Sequence, residues 1–439
     1  MTPHDKPEYL ATNVSRREVW AWAMFDFANS GYTTVVITAI FNAYFVAVVA
    51  GNQEWATLAW TLALAASYAL IILTAPLVGA YADTHAAKKR LLFLTTVGCV
   101  GFTALLSFVG PGDLWLAVVL IVFTNFFFGS GENLIAAFLP ELAPGEALGR
   151  VSGWGWCLGY IGGLVSLGCS LIYVTWAQGQ GQQAEQFVPV TMLITAVLFA
   201  VSSIPTFLYL KERAQPQSQP HLARQHVVRQ SIARLAGTFK HAGSYRDLMR
   251  FLACLVFYQA GIQTVIILAA IYAQQVMGFD ASDTMLLVFL VNITAALGAF
   301  AFGSIQDRIG HIPTIALTLV GWIIMVLLAW AAEDRAMFWL AANIAGLCLG
   351  ASQSAGRALV GFFSPASRRA EFFGLWGLAV KLSSILGPVT YGLVSWISRG
   401  DHRLAMLVTG GYFIIGLIIL MSVNVRRGRQ AALHSEEVF

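Results

Sequence analysis

Three ionisable side chains sit where an apolar chain has no ordinary use for them. Asp26, Glu132 and Lys381 each lie mid-way along a stretch long and apolar enough to cross a lipid bilayer. An ionised group at that depth costs roughly 2.5–3.5 kcal/mol even on a lenient insertion scale, so it is retained with a partner or a task. Arg17, Glu141 and Glu371 mark the nearest ends of these stretches. At about 1.5 Å of helix rise per residue all three charges fall roughly 13–15 Å deep, near the centre of a ~30 Å hydrocarbon core.

Fully ionised, the three sum to −1, which gives one carboxyl a reason to hold a proton or to accept a cationic substrate group. Burial favours the protonated form and a nearby lysine the ionised one, so an arriving substrate can tip the balance. Glu132 is the favoured proton carrier, because Gly129, Ser130 and Gly131 before it let water or another helix approach; Asn125, two turns earlier, shares its face, and Asn133 follows it. A permanent carboxylate–lysine pair that only fixes helix packing is the alternative use. Arg357 lies close enough to the helix end marked by Pro365 to snorkel; binding a substrate carboxylate and capping structure are both open to it. Asn29, Gln259, Gln263, Asn292 and Gln353 are uncharged polar groups in apolar stretches, suited to bonds between helices or to a substrate.

The elements that must position these groups are transmembrane helices. Only 11% of the 439 residues are charged and 58% are hydrophobic, where a soluble domain carries about a quarter charged. Twelve apolar runs, from Trp20–Val49 to Leu404–Val425, each end in glycine, proline or charge. Placing the N-terminus in the cytoplasm puts 21 of the 26 lysines and arginines on that side and returns the C-terminus there. The net charge of +4 then reflects topology, and no nucleic-acid partner is needed to explain it. All five cysteines fall inside apolar runs without a CxxC pair, which argues against a disulfide framework or a zinc site.

The chain divides into a first six-helix half (1–210), a linker (211–250), a second half (251–425) and a tail (426–439). Val228, Ile232, Leu235 and Phe239, with Arg224, Arg229, Arg234 and Lys240 around them, are spaced for a basic amphipathic helix on the membrane surface, a solvated linker being the alternative. The halves repeat. Gly79 to Asp83 (GAYAD) recurs as Gly303 to Asp307 (GSIQD), and Phe27, Gly31, Thr34 and Val35 recur as Phe257, Gly261, Thr264 and Val265. Repeated halves with a site between them near the midplane are a secondary-transporter design. Gly155, Gly159 and Gly163 give a smooth face for close helix packing.

Gly79, Asp83, Lys88, Lys89 and Arg90, with the second copy Gly303, Asp307 and Arg308, resemble the cytoplasmic gate signature of the major facilitator superfamily. Thr84 and Ala86 depart from it, where a basic residue and a glycine are usual. FDFANSGY (Phe25 to Tyr32), GENLIAAFLPELAP (Gly131 to Pro144), GRVSGWGW (Gly149 to Trp156) and AEFFGLWG (Ala370 to Gly377) are similar to the branch that holds the autophagy-linked vacuolar amino-acid effluxer and its bacterial relatives. The resemblance implies an all-α, twelve-helix membrane fold in two pseudo-symmetric halves and transport of amino acids or similar solutes. It departs from the branch at Ala260, where an acidic residue often precedes the glycine of the seventh span.

The expected function is alternating-access transport of a small polar solute linked to protons, by a single chain in a bacterial inner membrane with both termini cytoplasmic. A multidrug or lipid-like exporter and a non-transporting sensor of the same fold are the alternatives. An enzyme is not expected, since there is no HExxH, no Walker-type loop and no nucleophile set; no cofactor or metal is called for.

Overall fold

The computed structural model describes residues 9–216, 245–279, 281–399 and 401–437, and every regular element among them is helical. The amphipathic helix expected around Val228 to Phe239 lies outside the described residues. Twelve helices are long and apolar enough to cross a membrane. In the first half these are α1 (Arg16–Val49), α2 (Ala56–His85), α3 (Lys88–Phe108), α4 (Leu114–Leu142), α5 (Gly145–Gly179) and α6 (Ala184–Tyr209). In the second they are α7 (Arg246–Gln275), α8 (Ala281–Ile309), α9 (His311–Ala331), α10 (Arg335–Phe363), α11 (Arg369–Ile397) and α12 (His402–Met421). A further helix, α13 (Val425–Glu437), follows. α7 thus begins inside the stretch read as linker, and the described part of the tail, to Glu437, is helical.

Helices are the economical answer to this sequence, because each satisfies its own backbone polar groups where lipid offers no partner. Leu73, Phe108, Ile172 and Met421 are among the large apolar side chains that project outward, as a lipid-facing surface requires. Helix starts are marked by caps: Ser15, Asp334 and Asp401 each accept a first-turn backbone N–H. α1 is irregular beyond Tyr32, with π-helical turns at Thr33–Ala39 and Phe45–Val49, a form concentrated at functional sites.

The first and last described segments lie on one face, which we term the terminal face: the N–H of Ala11 meets the carbonyl of Leu142 at 3.0 Å, the segment after α6 bonds the first turn of α1, and Arg429 donates to the Phe362 carbonyl at the end of α10. The two halves meet through α2 against α11 and α5 against α8, with α10 also against α5 and α4 against α11. Small residues allow the approach. A Cβ on Gly79 would strike the carbonyl of Ala370, and one on Gly153 that of Ala299 in α8.

Candidate functional site

The charges in the midplane form two ion pairs, and each pair joins the two halves. Asp26 of α1 meets Arg357 of α10 at 2.7 Å; Glu132 of α4 meets Lys381 of α11 at 3.1 Å. The sequence sum of −1 is corrected by this geometry, because Arg357 belongs to the set and brings it to zero. Nor does Arg357 snorkel. Its side chain is only 3% exposed and its three nitrogens turn inward to Asp26 and Ser152.

The pairs differ in how fully they are enclosed. The Arg357 guanidinium bonds through all three of its nitrogens: Nη1 donates to Asp26, Nε to the Ser152 hydroxyl at 3.1 Å, and Nη2 to the Ser152 carbonyl at 2.9 Å. Its flat faces lie near the rings of Trp22 (4.8 Å) and Trp156 (5.3 Å), an arrangement suited to a planar delocalised cation. Gly155 of α5 makes room, since a Cβ there would collide with both Asp26 and Arg357. Trp22 is itself tied down by its indole N–H to the Ile135 carbonyl at 2.9 Å.

Lys381 is held more loosely. Its ammonium has three donors; Glu132 takes one, and the rings of Phe128 and Tyr68 stand 5.6 and 5.8 Å away. The Glu132 side chain is 20% exposed, against 11% for Asp26 and 3% for Arg357. Asn125, on the Glu132 face of α4 as the spacing implied, donates to the Ser67 hydroxyl at 2.6 Å. Tyr32 packs on Phe128 nearby, with ring centroids 5.0 Å apart.

Other sequence candidates fall elsewhere. Asn29 is buried one turn beyond Asp26 on α1, and Asn133 sits in the seam between halves, where Gly377 leaves space for its amide. Gln259 donates to Gln353 at 2.9 Å, a bond within the second half. Asn292 bonds the Val288 carbonyl of its own helix, and Gln263 is half-buried on α7. Neither Gln263 nor Asn292 makes a side-chain contact to the four charges among the described bonds. Ser152, Trp22, Trp156, Tyr68 and Ser67 were missed by sequence reasoning. Ser152 and Trp156 stand in the GRVSGWGW stretch, where a hydroxyl among glycines was the available signal.

The gate signature closes the terminal face. Asp83 accepts the N–H groups of Ala370 (3.0 Å) and Glu371 (2.8 Å) at the start of α11. By the pseudo-symmetry, Asp307 accepts those of Gly149 (3.0 Å) and Arg150 (3.1 Å) at the start of α5. Each carboxylate therefore caps a helix N-terminus of the other half, where free N–H groups and the helix dipole favour negative charge. Gly303 lies against Gly149 and Gly153 in the same seam. The basic residues do something else: Lys88 pairs with Glu141, Lys89 donates to the Leu210 carbonyl at 2.6 Å, and Arg90 and Arg308 are exposed.

Twelve spanning helices in two like halves, locked on one face by swapped helix caps, define a transporter of the major facilitator type. The chain belongs to the family described as vacuole effluxer Atg22 like, whose sequence profile matches residues 46–433. An uncharacterised MFS-type transporter of Bacillus subtilis, YxiO, is 27% identical over 414 residues, covering 92% of this chain and 94% of that protein. Autophagy-related protein 22 of Saccharomyces cerevisiae is 21% identical over 421 residues, covering 84% and 78%. For autophagy-related protein 22-1 of Aspergillus fumigatus the figures are 24%, 70% and 54%, so the match spans about half of that relative. Among solved structures, the human organic anion transporter MFSD10 superposes with a TM-score of 0.70 over 92% of this chain and 99% of its own at 14% identity. An outward-facing bacterial ferroportin homologue gives 0.68 over 93% and 99%, also at 14% identity; these likenesses establish the fold.

Proposed function

We propose that this protein is a secondary active transporter of a small zwitterion, an amino acid or a solute of the same charge pattern, linked to protons through Glu132. The observation that carries the reading is the Glu132–Lys381 pair: opposite charges on opposite halves, 3.1 Å apart, with donors and a carboxylate edge to spare. A zwitterion entering between them places its ammonium on Glu132 and its carboxylate on Lys381. One ion pair becomes two without adding net charge to the midplane, which keeps the desolvation cost low. Asp26 and Arg357 suit this less, because all three guanidinium nitrogens are bonded and two tryptophan rings stand close to it.

When the terminal face opens, α4 and α11 part and Glu132 loses its lysine. A proton on Glu132 then removes an uncompensated buried charge. The abundance of lysine and arginine near the terminal face supports a cytoplasmic location for both termini in a bacterial inner membrane, and one chain holds both halves of the site. The effluxer description of the family favours outward movement of solute.

Uptake of pooled radiolabelled amino acids into proteoliposomes, with and without an imposed pH gradient, tests the proposal. Wild type is expected to accumulate label when the gradient is imposed, and Glu132→Gln to lose that stimulation. Gradient-driven uptake unchanged in Glu132→Gln removes the proton role. Wild-type flux no greater than that of empty liposomes removes amino acids and turns attention to hydrophobic cations, which the aromatic rings around both pairs would also suit.

A further inference from the structure

Each six-helix half ends in the same clasp. In the first, the Glu18 carboxylate in the opening turn of α1 accepts the main-chain N–H of Lys211 (3.0 Å) and both ends of the Arg213 fork (2.7 and 2.8 Å). In the second, Asp247 in the opening turn of α7 accepts the main-chain N–H of Asn424 (2.9 Å) and the Arg427 fork (2.5 and 2.7 Å). Both carboxylates are buried, 3% and 2% exposed. In each case a main-chain N–H and an arginine two or three residues later, just past the half's last spanning helix, fasten it to the half's first. Bidentate arginine–carboxylate pairs of this kind are strong and set geometry.

The clasps differ in what else they hold. Between Lys211 and Arg213, Glu212 accepts the N–H groups of Lys88 (2.7 Å) and Lys89 (3.0 Å). It thereby caps α3, whose own N-cap residue, Ala87, has no side chain to do so. The N–H of Arg213 donates to Glu141 at 3.1 Å, and Glu141 also pairs with Lys88 and lies 3.8 Å from Arg369, at the start of α11 in the other half. Arg369 adjoins the Ala370 and Glu371 N–H groups that Asp83 caps. Among the described bonds the second clasp stays within its own half: Arg427 bonds Asp247 and, through its main-chain N–H, the Asn424 side chain, and α13 continues through Arg429 to the Phe362 carbonyl.

We propose that the strap Lys211 to Arg213 positions the terminal gate, while the matching clasp at Arg427 only fastens its half. The strap holds Glu141 where it meets Arg369, and the start of α3 where Lys88 meets Glu141, so its release favours the state in which α2 and α11 have separated. Arg213 and Glu212 are positioning residues in this scheme; neither touches solute.

The experiment uses the full chain in lipid nanodiscs, with Cys169 replaced by serine and spin labels on cysteines placed at His85 and Arg308. These two positions are exposed on the terminal face of opposite halves. Pulsed electron resonance reads the distance between them. Arg213→Ala is expected to raise the long-distance, gate-open population several-fold, and Arg427→Ala to leave the distribution as in wild type while lowering thermal stability to a similar degree. Glu212→Ala, which uncaps α3 but leaves Glu18 paired, is expected to act in the same direction as Arg213→Ala and keeps the test open if that variant folds poorly. An unchanged distribution in both strap variants overturns the proposal, as does an equal shift in Arg427→Ala.

Discussion

At the scale of single residues, the two midplane cations show why a charge count alone does not assign roles. Arg357 has its donors bonded on both edges, whereas Lys381 makes a single bond. Replacing Arg357 by lysine keeps the charge but forfeits both bonds to Ser152, leaving buried acceptors unsatisfied at about 1–3 kcal/mol. Arg357→Lys is therefore expected to lower the melting temperature in detergent and the maximal transport rate, with the apparent affinity for solute held. Arg357→Ala strands Asp26 altogether and is expected to cost about 3–5 kcal/mol, with Asp26→Asn as a second change restoring part of it. Lys381→Gln should do the reverse: it weakens apparent affinity at least tenfold in equilibrium binding with a modest loss of stability, since the side chain of its partner Glu132 is 20% exposed. Equal affinity losses for Arg357→Lys and Lys381→Gln would erase the division of labour.

Helices rather than residues carry the gate, and here the approach of α2 to α11 is set by one missing Cβ. At Gly79 any side chain meets the carbonyl of Ala370, a backbone atom that cannot swing aside. Gly79→Ala is expected to penalise the closed terminal face by about 1–3 kcal/mol, which moves a two-state equilibrium by about 5–150-fold. A membrane-impermeant maleimide added from the terminal face should then label a cysteine placed at Val78 faster than in the Gly79 parent; labelling at the parental rate shows that the seam yields instead.

How far such features can be read without coordinates follows from their period. The spanning helices and the paired gate motifs were legible, because hydropathy and a repeat of more than 200 residues survive in one dimension. Asp26, Glu132 and Lys381 were legible because charge is rare at that depth. The pairing of Asp26 with Arg357 was not. The two residues are 331 positions apart, and distance from a helix end gives depth but not the facing direction. Ser152 escaped for a related reason: a serine or threonine hydroxyl in an apolar helix usually bonds its own backbone, as Thr96 and Thr124 do here. The clasps at Glu18 and Asp247 escaped because the acid and arginine of each lie at opposite ends of a half.

For the molecule as a whole, the neutral quartet turns membrane potential into a reporter of the coupling ion. On the proposed reading, Asp26 and Glu132 ride on one half and Arg357 and Lys381 on the other, all close to the midplane, so rocking the halves carries little protein charge across the membrane, and a zwitterion brings none. Whatever net charge crosses per cycle then belongs to the ion that accompanies the solute. One proton per cycle is worth about 2.3 kcal/mol per 100 mV, or roughly fifty-fold in the steady accumulation ratio. A potassium diffusion potential set with valinomycin, at equal pH on both sides, is expected to shift that ratio in wild-type proteoliposomes and to have no effect in Glu132→Gln. The sign carries further information: an inside-negative potential that raises internal solute means that solute and proton travel together, and one that expels it means that they exchange. A wild-type ratio indifferent to potential excludes net proton movement and leaves Glu132 as a binding residue for the solute ammonium alone.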